Sequence, residues 1–493
     1  MALKRDDSFL QYLTMGAAGS ARAADDLNGH GHQIIELERY TTSNKIWSTK
    51  IKRLRLPDLL CLRCGLRVEA RAKSKLEVKL SDSPTVAGRQ WDAGLNDDDL
   101  VALIHVVWDG RVATPSTWVE YFRVADLRAT VASSKLGPPK SASEGAERDR
   151  TWPASVASQP GTVTAVSATH VTISWQNGPT RRLPIRQGFH VCVAPGDALA
   201  SGRIIAGIAP HPTSVACPGD VWDPLVQSTD ANPGARYAAV KALAFRGDAV
   251  AAVARLRELW ENQAEDVRIR LEALAGLARR EPDTWVPVLA EFRNTVEADM
   301  AMEAVFILSE VAAPAAADAL AAILADQTLA EELRAAAAWG LGVGGHHQPE
   351  ALLNYLEDPS DEVAMHSLVA TGSELVDAAL DQVAGRIANG DRASAAAIQV
   401  LARHGERGAR VLLARVGSFE SAKANAWVLF GLGLAGRASV SAAAGGEVPA
   451  GLGEALTPLW IGLTENWLAG DRAAVLDFLK RQIVREVLAA PEH

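Results

Sequence analysis

Four cysteines in 493 residues are too few to staple a secreted protein of this length. The first stretch, MALKRDDSFLQYLT, has basic residues but only a short apolar run, and does not read as a secretion signal. No run of about 18 residues stays apolar without polar or charged interruption, so no membrane span is expected. Phosphate-loop chemistry is also missing: GLGVGG at 340–345 lacks the lysine such a loop needs and follows an Ala-rich helical stretch. There is no G-x-S-x-G nucleophile elbow. A net charge of -9 excludes a protein that is basic all over and coats nucleic acid. What is present is globular material, 48% apolar and 22% charged, long enough for several cores. A soluble, cytoplasmic, multidomain protein is the expectation.

Three textures follow one another. Residues 1–135 mix short helices with strands. GSARAADDLNG (Gly19–Gly29) reads as a helix stopped by glycine, and HQIIELERY as a helix or helix end. KIWSTKIKRLRL and LRVEARAKSKLEVKL alternate as strands on either side of a turn at Arg63-Cys64-Gly65. DDDLVALIHVVWDG reads as a helix cap at Asp97–Asp99 running into an apolar segment that finishes as a strand. Residues 136–150, LGPPKSASEGAERDR, are a Pro-, Gly- and charge-rich linker. Residues 151–228 carry β-branched runs and an Asn177-Gly178 hairpin turn, which suggests a small central β barrel-like domain or a partly open sheet.

From residue 232 to about 485 the chain turns to Ala, Leu, Glu and Arg in helical periods. RYAAVKALAF, EDVRIRLEALAGLARR, AMEAVFILSEV, EELRAAAAWGLG and DEVAMHSLVATG share acids at the helix start and an Ala-rich inner face. This segment resembles HEAT-type helical repeats, and the resemblance implies a C-terminal all-α solenoid that buries its faces by stacking. Its acidic balance points to a protein partner or self-association and away from a DNA cradle.

One segment departs from the acidic average. Between Lys45 and Lys79 eleven Lys or Arg accompany only three acids, Asp58, Glu69 and Glu77. Such a field can hold DNA through its phosphates. Lys45, Trp47, Lys50, Lys52, Arg53 and Arg55 are the expected phosphate-contacting stripe, with Arg89, Trp91 and Asp92 on a later loop where Trp91 is more readily core. The acids need their own account. If the strands reverse through Arg63 and Cys64, Asp58 falls opposite Glu69, with Arg71 and Lys73 on the same face. A turn one residue later would pair Asp58 with Ala70 instead. Two carboxylates that close repel unless a cation neutralises them, and Mg²⁺ or Mn²⁺ suits oxygen ligands beside phosphate.

Pro57-Asp58, followed across the turn by Glu69-Ala70-Arg71, resembles the PD-(D/E)xK nuclease family. Arg71 stands where the family has lysine, and Lys73, two residues on, is the expected substitute. The resemblance implies an N-terminal α/β restriction-endonuclease-like domain with catalytic Asp58, Glu69, Arg71 and Lys73. It also implies a metal held by Asp58 and Glu69, with Glu36 or Glu38, Glu36 preferred, as the acid from a preceding helix. Glu77-Val78-Lys79 matches the second element literally, but can serve only if the chain turns near Ser74. A non-catalytic DNA-binding module, or a protein-interaction scaffold with an ion-paired hairpin, remains the alternative.

Cys61-Leu62-Arg63-Cys64-Gly65 is a C-x2-C-G knuckle. It is either half of a structural Zn²⁺ site or a pair of buried thiols packing the hairpin. His30 and His32 are the nearest further ligands in sequence. Cys192 and Cys217 lie in what reads as another domain.

Overall fold

The computed structural model describes residues 7–37, 47, 49, 54, 56–75, 77–108, 113–140, 147–245, 250–344, 349–372 and 375–460. The chain divides into two compact units, one holding residues 2–42 and 53–276, the other 43–52 and 277 onward.

In the first unit a long helix, α1 (Asp7–Gly29), precedes a five-stranded mixed sheet. Its strands are β1 (Ile34–Glu36), β2 (Leu59–Cys61), β3 (Arg67–Lys73), β5 (Leu100–Trp108) and β6 (Ala113–Arg123), in that order across the sheet. β1, β2 and β3 form an antiparallel meander, and β5 runs parallel to β3. Met15, Ala23 and Leu27 share the buried face of α1 and pack on Val68, Ala70, Ala102 and Ile104. Gly19 permits this approach, since a Cβ there would stand 2.9 Å from that of Ala72. Alternation then sends Arg67, Glu69, Arg71 and Lys73 to the other face of β3. β5 is apolar on both faces: Val101 and Leu103 enter a second core with Phe122, Leu127, Trp152 and Ile204.

Several expectations are corrected here. Within HQIIELERY, Ile34–Glu36 is not helical. Ile34-Ile35 is β-branched and joins the edge that β2 offers, giving strand β1. No helix follows Asp97–Asp99. They sit in the turn before β5, where Asp97 pairs with Arg128, Asp98 with Arg123 and Asp99 with Arg67. The stretch taken for a linker has strands at both ends: β7 (Lys135–Leu136) and β8 (Arg148–Thr151) pair with each other, and β8 with β4 (Lys79–Asp82). The segment between β7 and β8 at 141–146 lies outside the described residues.

The central β segment forms open sheets. Gly161–Val166, His170–Trp175, Arg181–Pro184 and Ala198–Leu199 make a four-stranded sheet. Ala154–Val156, His190–Val191 and Ile204–Gly207 make a three-stranded one. No closed barrel occurs among the described residues. Ala198 and Leu199 meet only Thr162 and Gly161, so the ladder stops after two residues.

The second unit is helical. Ala298–Glu310 packs on Glu331–Val343, which packs on Asp361–Ala370, and Asp391–Arg403 packs on Ala422–Ala443. Small residues set the spacing: Ala335 to Ala338 are fully buried, and a Cβ on Gly342 would meet that of Ala370 at 2.6 Å. A buried ion pair, Arg334 Nη2 to Asp358 Oδ2 at 2.6 Å, ties Glu331–Val343 to the turn before Asp361–Ala370, and Ser360 caps that helix through the Val363 N–H. By length and composition Ala422–Ala443 is apolar enough to cross a membrane, but Gly436 breaks it at φ 82° and Val428, Leu432 and Val440 lie in the core.

Trp47 belongs to this unit and is not a phosphate contact. It is 3% exposed, stacks on His366 with ring centroids 4.4 Å apart, and lies 6.4 Å from Phe306. Thr49 follows it and donates to Glu332 through Oγ1 at 2.6 Å. An indole in an aromatic slot leaves water completely, which a solvated strand surface would not allow. Lys45, Lys50, Lys52, Arg53 and Arg55, and with them most of the strand expected before Leu56, fall outside the described residues.

Candidate active site on the β2–β3 hairpin

Leu59 pairs with Val68 and Leu60 with Arg67. Continuing that register sets Asp58 across from Glu69, on the face away from α1. Three contacts hold the pair. The Ala70 N–H donates to Asp58 Oδ2 at 2.8 Å, anchoring the carboxylate to the neighbouring strand. The Arg71 guanidinium bonds Glu69 through Nη2, and its Nη1 lies 3.9 Å from Asp58 Oδ2. Both acids are largely covered, with side-chain exposures of 19% for Asp58 and 12% for Glu69, whereas Arg71 is half exposed. The hairpin thus presents two carboxylates bridged by one cation at the protein surface.

Lys73 continues along the same face of β3. Burial, reinforced by the positive charges of Arg71 and Lys79, pulls its ammonium down to about 8. Beyond it the chain does turn, at Ser74 and Lys75, and the Ser74 carbonyl accepts from His105 Nε2 at 2.9 Å. Glu77 then precedes β4 in a different sheet, and its carboxylate pairs with Lys79 at 3.3 Å. Register therefore brings Glu69, not Glu77, to Asp58.

Glu36 is not brought to this site. It pairs with Leu59, one residue off the Asp58 row, so alternation assigns it to the α1 side of the sheet. The side chains of Trp91 and Asp92 are engaged within the protein: Trp91 packs edge-on against Trp152 at 5.1 Å, and Asp92 binds Arg128 at 2.8 Å.

The hairpin is braced from below. Arg67 donates to Asp99 through Nε at 3.0 Å and Nη2 at 2.6 Å, both side chains being buried. This fork joins the start of β3 to the turn before β5. Across β5 from Arg71, buried Glu120 accepts from the Ile204 N–H at 3.0 Å and is raised to about 7 by burial; it ties β6 to the central sheet.

At the turn of the same hairpin, Cys61 and Cys64 meet His32, one of the two nearest histidines in sequence, and Cys217, which the sequence reading had placed in another domain. Their sulfurs, His32 and the Sγ of Cys217 all have ligand atoms within 4.8 Å of one another. Cys192 stays outside this group, above the second core. The C-x2-C-G spacing signals an incomplete site, but nothing in the local sequence marks Cys217 as its partner.

No family model matches the chain, and no curated protein does. Among solved structures, the chain is similar to the YibA protein of E. coli at 15% identity, covering 42% of this chain and 79% of that one, with a TM-score of 0.25. An engineered protein gives 14% identity over 54% of this chain and 87% of its own, with a TM-score of 0.23. At those scores neither likeness bears on fold or function.

Proposed function

We propose that the first unit is a metal-dependent DNA endonuclease, hydrolysing phosphodiester bonds at Asp58, Glu69, Arg71 and Lys73. The observation that carries this reading is the pairing of Asp58 and Glu69 across β2 and β3, with Arg71 reaching both carboxylates. The donor set fits Mg²⁺ or Mn²⁺: two oxygen-only, partly exposed ligands facing each other, whose charge a guanidinium balances at present. When bound, such an ion lowers the pKa of a water and offsets the negative charge that gathers on the scissile phosphate.

The protein's own residues do the rest. The Ala70 N–H fixes the Asp58 carboxylate, so it is oriented before any ligand arrives. Arg71, on an exposed side chain, can leave the acids for a DNA phosphate oxygen, a bidentate contact suited to a guanidinium. Lys73 holds the negative charge that develops on the non-bridging oxygens, which requires its protonated form. The helical unit, read as HEAT-type repeats, is a partner-binding or regulatory scaffold. A second reading is a non-catalytic DNA-binding or interaction scaffold; it is favoured by the same Arg71, which already neutralises both acids.

Plasmid incubated with the purified chain in Mg²⁺ or Mn²⁺, beside an EDTA control, separates the two. Nicking or linearisation only with metal supports the nuclease. Salt-sensitive retention with no cleavage in any metal supports the scaffold.

Lys73 gives the expected pH dependence. As the charged form is the active one, kcat/KM should fall as pH rises through about 8, and Lys73→Gln should lower the rate and flatten that limb. A rise through the same range in the unmodified chain would mean that Lys73 acts as a base. Stability moves the other way. The folded-state value lies below the unfolded value of 10.5, so the folded chain binds fewer protons between the two and gains stability as pH climbs through that window.

A further inference from the structure

We propose that His32, Cys61, Cys64 and Cys217 form a structural Zn²⁺ site of three thiolates and one imidazole, which clamps the end of α1 and the loop around Cys217 onto the β2–β3 turn. The inference stands whether or not the chain cuts DNA. It rests on four features of the cluster.

The first is distance. In a tetrahedral site with Zn–S near 2.3 Å and Zn–N near 2.0 Å, a sulfur–nitrogen edge is about 3.5 Å. Cys64 Sγ and His32 Nδ1 stand 3.5 Å apart, and every ligand atom of the four lies within 4.8 Å of the others. All four cysteines of the chain are free thiols.

The second is the histidine tautomer. His32 Nε2 is 2.8 Å from the Val215 carbonyl oxygen, which can only accept. The proton must therefore sit on Nε2, and the lone pair of Nδ1 is turned to the sulfurs. A backbone carbonyl holding the far nitrogen is how a metal-ligating imidazole is oriented. The neighbouring His30 does not join: its Nε2 lies toward Asp26 at 3.7 Å.

The third is the backbone around the sulfurs. The Gly65 N–H donates to the Cys61 carbonyl at 3.0 Å and Gly65 has φ +74°, which closes a tight knuckle. A Cβ on Gly65 would lie 2.7 Å from the Trp222 ring, so the loop after Cys217 is seated directly on this turn. The Cys217 N–H donates to the His30 carbonyl at 3.0 Å, joining the same loop to the end of α1.

The fourth is charge. Three thiolates and Zn²⁺ leave a net negative site. Arg63, inside the knuckle, donates to the Gly31 carbonyl at 2.8 Å and pairs with Asp220 at 3.3 Å, which places a guanidinium over all three segments.

Soft donors select zinc over the hard ions suited to Asp58 and Glu69, and four protein ligands leave no open position for chemistry. The role is therefore mechanical. Cys61 ends β2, the strand that Asp58 immediately precedes, so a metal on the turn fixes the register that sets the two acids opposite each other.

The test is metal content of the full chain by mass spectrometry after exhaustive dialysis. About one zinc per chain is expected. Cys217→Ser and His32→Ala should lower it at least tenfold, while Cys192→Ser should leave it unchanged. Because a ligand variant can fail to fold, the unmodified chain is also exchanged with Co²⁺. Tetrahedral d–d bands with thiolate-to-cobalt charge transfer support the site. Less than a tenth of an equivalent of zinc with no cobalt spectrum overturns it. So does full zinc retention by a folded Cys217→Ser, or a Cys61–Cys64 disulfide found by thiol titration in denaturant.

Discussion

Asp58→Asn is expected to slow metal-dependent plasmid cleavage by about 10²–10³-fold while leaving DNA retention within a factor of two or so of the unmodified chain. Asparagine is the informative substitution. Its amide oxygen can still accept the Ala70 N–H that Asp58 Oδ2 accepts at 2.8 Å, so the β2–β3 edge keeps its geometry and only the charge is lost. Alanine would leave that N–H without its acceptor and mix a folding defect into the result. Glu69→Gln should behave likewise, since its carboxylate faces Asp58 and shares Arg71 with it. Retention should persist because phosphate contacts depend on the surrounding cations and not on the two acids. The measurement is the rate of loss of supercoiled plasmid, with retention on a filter at the same salt. Wild-type rates from both variants would remove these carboxylates from the chemistry. An unmodified chain that retains DNA but does not cut it in Mg²⁺ or Mn²⁺ would leave the scaffold reading standing.

The second large effect concerns the brace under the hairpin. Arg67→Met should cost about 3–5 kcal/mol, because it strands the Asp99 carboxylate in a site that excludes water. Burial already raises the Asp99 pKa despite the opposing pull of Arg67. Once Arg67 is gone the folded chain takes up a proton there more readily than the unfolded one, so the deficit should shrink as pH falls. Replacing both residues, Arg67→Met with Asp99→Leu, should recover most of the loss, since an apolar pair has no charge to desolvate. Urea unfolding of the three variants at two pH values checks this. A single variant that shifts the midpoint by less than an equivalent of about 1 kcal/mol would mean that Asp99 finds water or another partner.

Part of this architecture was legible in local pattern. The alternation in LRVEARAK reads as a strand with Glu69, Arg71 and Lys73 on one side, and that is how β3 is built. The turn at Arg63-Cys64-Gly65 could be read because glycine is the residue that accepts a positive φ at no cost. The Ala-rich helical periods read as packed helices for the same reason: a period of 3.6 sorts small residues onto one face. Where local pattern failed, a distant partner had won. Ile34-Ile35-Glu36 sits in a short polar setting that suits a helix end, and becomes a strand because β2 supplies an edge. Three consecutive aspartates resemble a helix cap until Arg67, Arg123 and Arg128 each claim one. Trp47 sits among basic residues in sequence but is buried by Phe306 and His366, some 260 and 320 residues further on.

The amino-acid order alone determined which ionisable groups stand near one another: an acid before a short turn, an acid and two cations at alternate positions after it, and a thiol pair at the turn itself. Those are properties of covalent neighbours, set by strand and turn geometry over a few ångströms. Only the tertiary structure decided which of these groups face each other. It assigned Glu36 to the opposite surface, left Glu77 in another sheet, and carried Cys217 more than 150 positions along the chain to Cys61 and Cys64. Chain separation sets no limit on such meetings, because they are bought by burying apolar surface elsewhere, in cores that no short window of sequence contains.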